Sequence, residues 1–218
     1  MERENRELLV EGAKTFEIDL DQKTVDLFDC YLKELLKWNQ KINLTAIRTE
    51  KGIILKHFLD SLSIYPHVTE IQSLLDIGSG AGFPGIPLKI VQPSLQVTLV
   101  DSVLKKVDFQ RHILRLLGRE GVETIHGRVQ ERELIDRMGR RFDAVVSRAF
   151  ADLETFLALG CPFLREGGVA IAMKGDVNEK EIGRITGLEE SGYVLQKTES
   201  FVLPFSSFKR TILVFGKK

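Results

Sequence analysis

Residues 71–88, Ile-Gln-Ser-Leu-Leu-Asp-Ile-Gly-Ser-Gly-Ala-Gly-Phe-Pro-Gly-Ile-Pro-Leu, constrain this chain more than any other stretch. The apolar run from Leu74 to Ile77 is interrupted only by Asp76. It ends at the alternating glycines Gly78, Gly80 and Gly82, and a helix-like segment opens near Pro84. This pattern reads as a buried strand, a tight turn and a helix start. Glycines so spaced allow positive φ and remove the Cβ atoms that would hold a ligand away from the backbone amides and the helix N-terminus. The result is a cradle of nucleotide size.

Several ligands use such a cradle. A phosphate-gripping P-loop needs Gly-Lys-Ser/Thr after the loop, whereas this chain continues Phe83-Pro84-Gly85-Ile86-Pro87, with no lysine. A dinucleotide fingerprint can be laid over Gly80, Gly82 and Gly85, with Asp101 as the ribose ligand. It would begin directly after the strand, however, and the first glycine here is Gly78. A glycine turn without any ligand is the third reading, set against about 1 kcal/mol of lost backbone entropy per glycine. The spacing Asp-x-Gly-x-Gly-x-Gly from Asp76 resembles the first motif of S-adenosylmethionine-dependent methyltransferases, whose glycines pack against methionine and ribose instead of a pyrophosphate.

At 218 residues the chain suits one domain with a buried core and a small appendage, and it is too short for a dehydrogenase with a second catalytic domain. Lys+Arg and Asp+Glu balance at 31 each, so nucleic-acid binding would have to rest on a local basic face. Cys30 and Cys161 stand far apart without a metal spacing, which fits a reducing compartment. The charged start is no signal peptide, and no apolar run reaches the roughly eighteen residues of a membrane span. A cytoplasmic protein, not bound to a membrane, is expected.

Residues 1–70 read as a helical cap, with Leu27, Tyr31, Leu32, Leu35 and Leu36 at helical spacing from about Asp21 to Trp38. Asn43 and Thr45 favour a turn. Thr49 is expected to cap a helix through His57-Phe58-Leu59-Asp60-Ser61-Leu62. His57 and Asp60 would share a face as a hydrogen-bonded pair fixing the cap to the domain at 71–218, and no metal spacing supports them as ligands.

From residue 71 strands alternate with helices, the signature of a parallel sheet covered on both faces. Expected strands are Val97 to Val100, Val122 to His126, Phe142 to Val146 and Gly167 to Met173. Asp101 ends the second of the sheet's strands, where an adenosine's ribose hydroxyls would lie, and Ser102 is a candidate cap for the next helix. That helix, Val103 to Leu117, carries Lys105, Lys106, Arg111 and Arg115, with Arg119 just beyond Gly118: a solvated face or a phosphate contact. Val129 and Gln130 follow the third strand, where residues face adenine. Arg148 follows the fourth, beside the glycine loop, where a guanidinium could hold a guanine edge, a phosphate or the cofactor carboxylate. Lys174 projects at the same edge. A helix near Val177 to Glu190 and a closing antiparallel hairpin, Tyr193 to Phe201 and Phe208 to Phe215, complete the chain.

Taken together, Trp38-Asn39, Asn43-Leu44-Thr45, His57 to Leu62, Gly78 to Leu88, Asp101-Ser102 with Lys105-Lys106, Ser147-Arg148-Ala149 and Lys174-Gly175 resemble one family over nearly the full length. That family is the bacterial small-subunit (16S) ribosomal RNA guanine-N7 methyltransferases, or glucose-inhibited division protein B family. The resemblance implies a Rossmann-like α/β fold of the class I methyltransferases: a mostly parallel seven-stranded sheet with a C-terminal antiparallel hairpin and an N-terminal helical cap. It implies that Gly78, Phe83, Asp101, Val129, Gln130 and Arg148 line an S-adenosyl-L-methionine site, with Asp76, Gly80 and Ser102 as further contacts in the same two segments. Arg128, Arg148 and Lys174 would form a basic rim for ribosomal RNA, free of any obligate protein partner. After Gly127-Arg128 the family usually has Ala-Glu, and this chain has Val129-Gln130. Two further classes stay open at this point: a non-catalytic ribosome-binding factor that retains the fold, and a nicotinamide-dependent reductase. A small-molecule methyltransferase would not need the basic rim.

Overall fold

A computed structural model describes residues 1–148, 152–177 and 192–217. Its sheet has seven strands in the order β3-β2-β1-β4-β5-β7-β6. The first five are β1 (Ser73–Ile77), β2 (Gln96–Asp101), β3 (Val122–His126), β4 (Phe142–Ser147) and β5 (Leu164–Lys174). All pairs among these are parallel. Then β6 (Tyr193–Val202) and β7 (Lys209–Lys217) form the antiparallel hairpin, with β7 inserted against β5. The fold class expected from the sequence is therefore present. The helix expected near Val177 to Glu190 lies, beyond Val177, outside the described residues.

The chain leaves β1 toward β2 and β3 on one side and returns to β4 on the other. Open α/β sheets bind ligands at such a switch point, beyond the carboxyl ends of the strands. Register brings those ends together: Ile77 pairs with Val100, and Asp76 with both Leu99 and Val146.

Strand residues alternate between two cores, as a period of two requires. Leu74, Val97, Leu99, Ala144, Val146, Ile171 and Val214 join one apolar cluster, and Leu75, Ile77, Val100, Val145, Ala170, Ala172 and Phe215 join the other. The second core is roofed by α7 (Arg132–Met138) and α8 (Leu153–Gly160). The first is roofed by α5 (Gly85–Val91), α6 (Leu104–Leu117) and the N-terminal helices. Gly118 closes α6 in the left-handed conformation at φ 57°.

The N-terminal helices are α1 (Arg3–Lys14), α2 (Gln22–Asn39), and a helix whose ends, α3 (Glu50–Ile53) and α4 (Asp60–Leu62), flank a π-helical stretch, Ile54–Leu59. Asp21 caps α2 by accepting from the Thr24 N–H, and Thr49 caps α3 through the Gly52 N–H. The face α2 buries is Val25, Phe28, Tyr31, Leu32 and Leu35, so Leu27 and Leu36 are only half-buried. The turn after α2 is organised by Asn39, not Asn43. Its Oδ1 accepts from the Leu44 and Thr45 N–H groups, and its Nδ2 donates to the Thr45 carbonyl. Phe28, Tyr31 and Phe58 share one core with Leu74, Phe83 and Phe109, so the cap packs continuously onto the sheet. Among the described residues no helix is long and apolar enough to cross a membrane.

Candidate functional site

The glycine loop follows β1 with Gly78, Gly80 and Gly82 all at positive φ, as the sequence requires. Two buried side chains hold it from beneath. The Tyr31 hydroxyl of α2 donates to the Ala81 carbonyl at 2.5 Å, and Gln110 of α6 donates to the Gly80 carbonyl at 2.8 Å and to Ser79 Oγ at 2.9 Å. A Cβ on Gly82 would lie 2.4 Å from Ile86 and 3.0 Å from the Tyr31 hydroxyl, whereas one on Gly80 meets nothing closer than 4.0 Å. Gly82 is therefore demanded by packing, and Gly80 faces open space.

Most amides of the loop are already used. Gly78 and Ser79 donate to the Val100 carbonyl, and Gly82 and Phe83 to the Ser79 carbonyl. Gly80 donates to Asp101 Oδ2 at 2.8 Å and Gly85, opening α5, donates to Asp76 Oδ2 at 2.9 Å. A pyrophosphate cradle aims such amides at its ligand. Here two carboxylates take that place at the Gly80 and Gly85 amides, which weighs against a dinucleotide.

Asp76 is fully buried, and its Oδ1 has no hydrogen-bond partner. Burial pushes its carboxyl up to about 7, against the Gly85 N–H and Arg148, which pull it down, while Asp101 adds to the rise. Between the ordinary value of 3.8 and about 7 the folded chain thus holds a proton that the unfolded chain has released, so stability falls as pH rises. Asp76→Asn cannot ionise, so its stability relative to wild type should rise between about pH 4 and 7 and then level off. Urea midpoints of both proteins across that range test this, and parallel profiles would contradict it.

Asp101, also buried, accepts from the Gly80 N–H and, through Oδ1, from the Val103 N–H at 2.9 Å. Lys106 Nζ stands 4.0 Å from Oδ2. A carboxylate offers about four lone-pair directions, so acceptor capacity remains for two hydroxyl donors. Ser102 does not cap α6. The N-cap is Val103, with no side-chain cap bond, and its own N–H is held by Asp101 Oδ1.

A cavity of about 320 Å³ opens at this edge, within the size range of small-ligand sites. Six predicted residues line it, namely Gly78, Asp101, Ser102, Arg128, Val129 and Gln130, together with Ile77, Val100 and Lys106. Val129 turns its side chain into the second core, so it offers the cavity its backbone, while Gln130 and Arg128 are exposed. Asp101 in this cavity fits the ribose diol of S-adenosylmethionine, and outside its lining the unpartnered, buried Asp76 Oδ1 fits an ammonium and Gly80 leaves an open approach.

Asp76, Gly80, Phe83, Arg148 and Lys174 do not line that cavity. Phe83 is 3% exposed and belongs to the cap junction: it stacks on His57 at 4.6 Å and on Tyr31 at 5.3 Å between centroids. Arg148 sits at the carboxyl end of β4 as expected, yet it is not an open rim cation. Its Nη1 donates to Asp60 Oδ2 at 3.0 Å and to the Lys56 carbonyl at 3.3 Å, its Nη2 lies 3.3 Å from His57 Nδ1, and its guanidinium covers Phe83 at 5.2 Å. Asp60 takes a second guanidinium, Arg210 of β7, at 2.6 Å. His57 and Asp60 therefore fix the cap to the sheet not by a side-chain bond to each other but by holding arginines, Arg148 for both and Arg210 for Asp60. His57 is driven down to about 3 by burial and then by the Arg148 charge, so its ring is neutral. With Nδ1 facing a guanidinium donor, the proton belongs on Nε2, which donates to Thr45 Oγ1 at 2.7 Å. Lys174, half-buried at the end of β5, lies near Asp152, whose carboxyl is lowered by the Thr155 hydroxyl and N–H and further by the lysine's charge.

Sequence reasoning missed Gln110, Lys106 as a cavity residue, and Arg210. Gln110 carried a signal: it occupies a core position of α6, three residues after Val107 and three before Ile113, where a polar side chain needs a partner. Arg210 carried none, since its partner lies 150 residues away.

Comparison with known proteins agrees with this geometry. The chain matches the family described as GidB, rRNA small subunit methyltransferase G, over residues 24–212. A ribosomal RNA small subunit methyltransferase G from Geobacter metallireducens is 45% identical over 219 residues, covering 100% of this chain and 99% of the relative. One from Acetivibrio thermocellus is 42% identical over 213 residues, covering 97% and 88%. Among solved structures, M. jannaschii TYW2 in complex with AdoMet superposes with a TM-score of 0.55 at 18% identity, over 68% of this chain and 70% of that one. A precorrin-6y C5,15-methyltransferase from Geobacter metallireducens gives 0.51 at 16% identity, over 67% and 80%. These distant likenesses carry the fold, and the close ones carry the family. With its loop, paired carboxylates and full-length similarity to such relatives, the chain belongs to the GidB family of small-subunit ribosomal RNA methyltransferases.

Proposed function

We propose that this protein transfers the methyl group of S-adenosylmethionine to N7 of a guanine in the RNA of the small ribosomal subunit or its precursor, in the cytoplasm. The observation that carries the reading is the exchange at the glycine loop: carboxylates of Asp76 and Asp101 hold the amides that a phosphate-binding loop would present. When bound, the cofactor supplies a methyl carbon already activated by its sulfonium. Asp101 would take the ribose hydroxyls, Asp76 Oδ1 the ammonium of the methionine portion, and the backbone at Val129 with Gln130 the adenine side. The use of backbone at Val129 makes the departure from Ala-Glu a mild one. Residues 1–70 serve as the cap over the methyltransferase unit at 71–218.

Guanine N7 is a lone pair without a proton, so the chain needs no general base and has mainly to align the acceptor. Alignment of this kind contributes roughly 7 to 11 kcal/mol. Arg148, pinned over Phe83, supplies a fixed positive charge at the acceptor side, with Lys174 and Arg128 on the approach. N7 lies in the groove that is deep and narrow in A-form RNA, so the target guanine is unpaired. Balanced net charge makes naked RNA a weak partner, and the folded particle supplies orientation.

Transfer of label from S-adenosylmethionine should therefore proceed far faster on intact small subunits than on a short free oligonucleotide carrying the same site. Comparable rates would overturn the particle requirement. Loss of all activity on replacing a single carboxylate outside the Asp60 arginine cluster, with cofactor and RNA binding intact, would overturn the absence of a general base.

A further inference from the structure

The β6–β7 turn, Leu203 to Phe208, lies at the same carboxyl edge as the cofactor cavity, because Lys174 at the end of β5 pairs with Thr211 and β7 continues past it to Lys209. Counting strands from β1 through β4 and β5 to β7, it stands about 14 Å from the end of β1, at roughly 4.8 Å per strand. At its tip Phe205 is 59% exposed and has φ 56°, in the left-handed region. A turn needing only that backbone would carry glycine or asparagine. A bulky apolar ring there is unfavourable twice over, in backbone conformation and in exposure to water. The turn is also internally braced. Ser206 Oγ donates to the Leu203 carbonyl at 2.8 Å and accepts from the Phe208 N–H at 3.1 Å, and the Leu203 N–H donates to the Phe208 carbonyl at 2.9 Å. The ring is thus presented on a fixed support.

Cations surround the base of the turn. Lys56 Nζ lies 4.0 Å above the Phe208 ring, Lys209 is exposed and pairs with the exposed Asp176 at 3.1 Å, and Arg210 joins the Asp60 cluster that holds Arg148. An exposed, rigid aromatic among cations is the arrangement by which proteins stack unpaired bases and track the adjoining backbone. Resting on the RNA reading above, we infer that Phe205 stacks an unpaired base of the substrate RNA, a few nucleotides from the target guanine, with Lys56 and Lys209 on the flanking phosphates.

The test is steady-state methylation of small subunits, with Phe205→Ala, Phe205→Asn and Phe205→Trp beside wild type. Asparagine keeps the left-handed backbone without the ring, so it separates stacking from loop shape. Both ring-less variants should raise KM for subunits by about 10-fold, with kcat and the cofactor Kd unchanged, and Phe205→Trp should restore the wild-type KM. In filter binding, Phe205→Asn should weaken affinity without changing its salt dependence, whereas Lys209→Ala should reduce the salt slope by about 1. An unchanged KM for Phe205→Asn on an active wild-type background overturns this inference alone. A wild type that methylates no RNA overturns the ribosomal reading, and this inference with it.

Discussion

Phe83→Ala should lower the unfolding free energy by about 3–5 kcal/mol, the range for removing a large aromatic from a core that only partly collapses. The ring is 3% exposed and lies at the meeting point of the cap and the glycine loop, in contact with Tyr31, Phe58 and His57 and covered by Arg148. Its loss opens a cavity between the cap and the glycine loop, which the bond of Tyr31 to the Ala81 carbonyl also joins, while Arg148 and Arg210 tie Asp60 of the cap to the ends of β4 and β7. Phe83→Leu, which refills part of the volume, should lose less. Urea unfolding of the three proteins measures the difference. A loss below about 1 kcal/mol for alanine would show that the junction does not depend on this ring.

Asp101→Ala should raise the cofactor Kd by about 100-fold or more. Two hydrogen bonds to a charged acceptor contribute about 1.5–3 kcal/mol each, and every 1.4 kcal/mol is tenfold. The same carboxylate holds the Gly80 and Val103 amides, so part of the loss comes through a slackened loop. Asp101→Asn keeps one acceptor oxygen and separates the two effects. It should hold the loop better than alanine and still bind the cofactor weakly. Calorimetric titration gives both constants, and an unchanged Kd for alanine would remove Asp101 from the site.

Much of the frame was legible in the sequence because parallel strands buried on both faces leave uninterrupted apolar runs. Phe142 to Val146 was readable to within one residue, and the hairpin at Tyr193 and beyond was readable from its alternation and turn. The glycine loop was legible because positive φ leaves few choices of residue. What escaped were contacts between distant segments. Arg148 could be placed at the end of β4, but its inward turn is set by Asp60, 88 positions earlier, and nothing local to Ser147-Arg148 signals that partner. Phe83 likewise was a cofactor contact only through the family resemblance. Only the arrival of α2 and the π-helical stretch shows that its ring faces the cap. Ser102 failed as a cap for a local reason, since the helix begins one residue later, with Val103 at the N-cap.

The central claim is methyl transfer from S-adenosylmethionine to guanine N7 in the small ribosomal subunit. It is tested most directly by incubating the protein with methyl-labelled cofactor and small subunits from a strain lacking the gene, then mapping N7-methylguanine along the RNA. Label at one guanine, as the N7 product, is the result expected. Label on another atom or base, or no label from a protein that binds the cofactor, would contradict it.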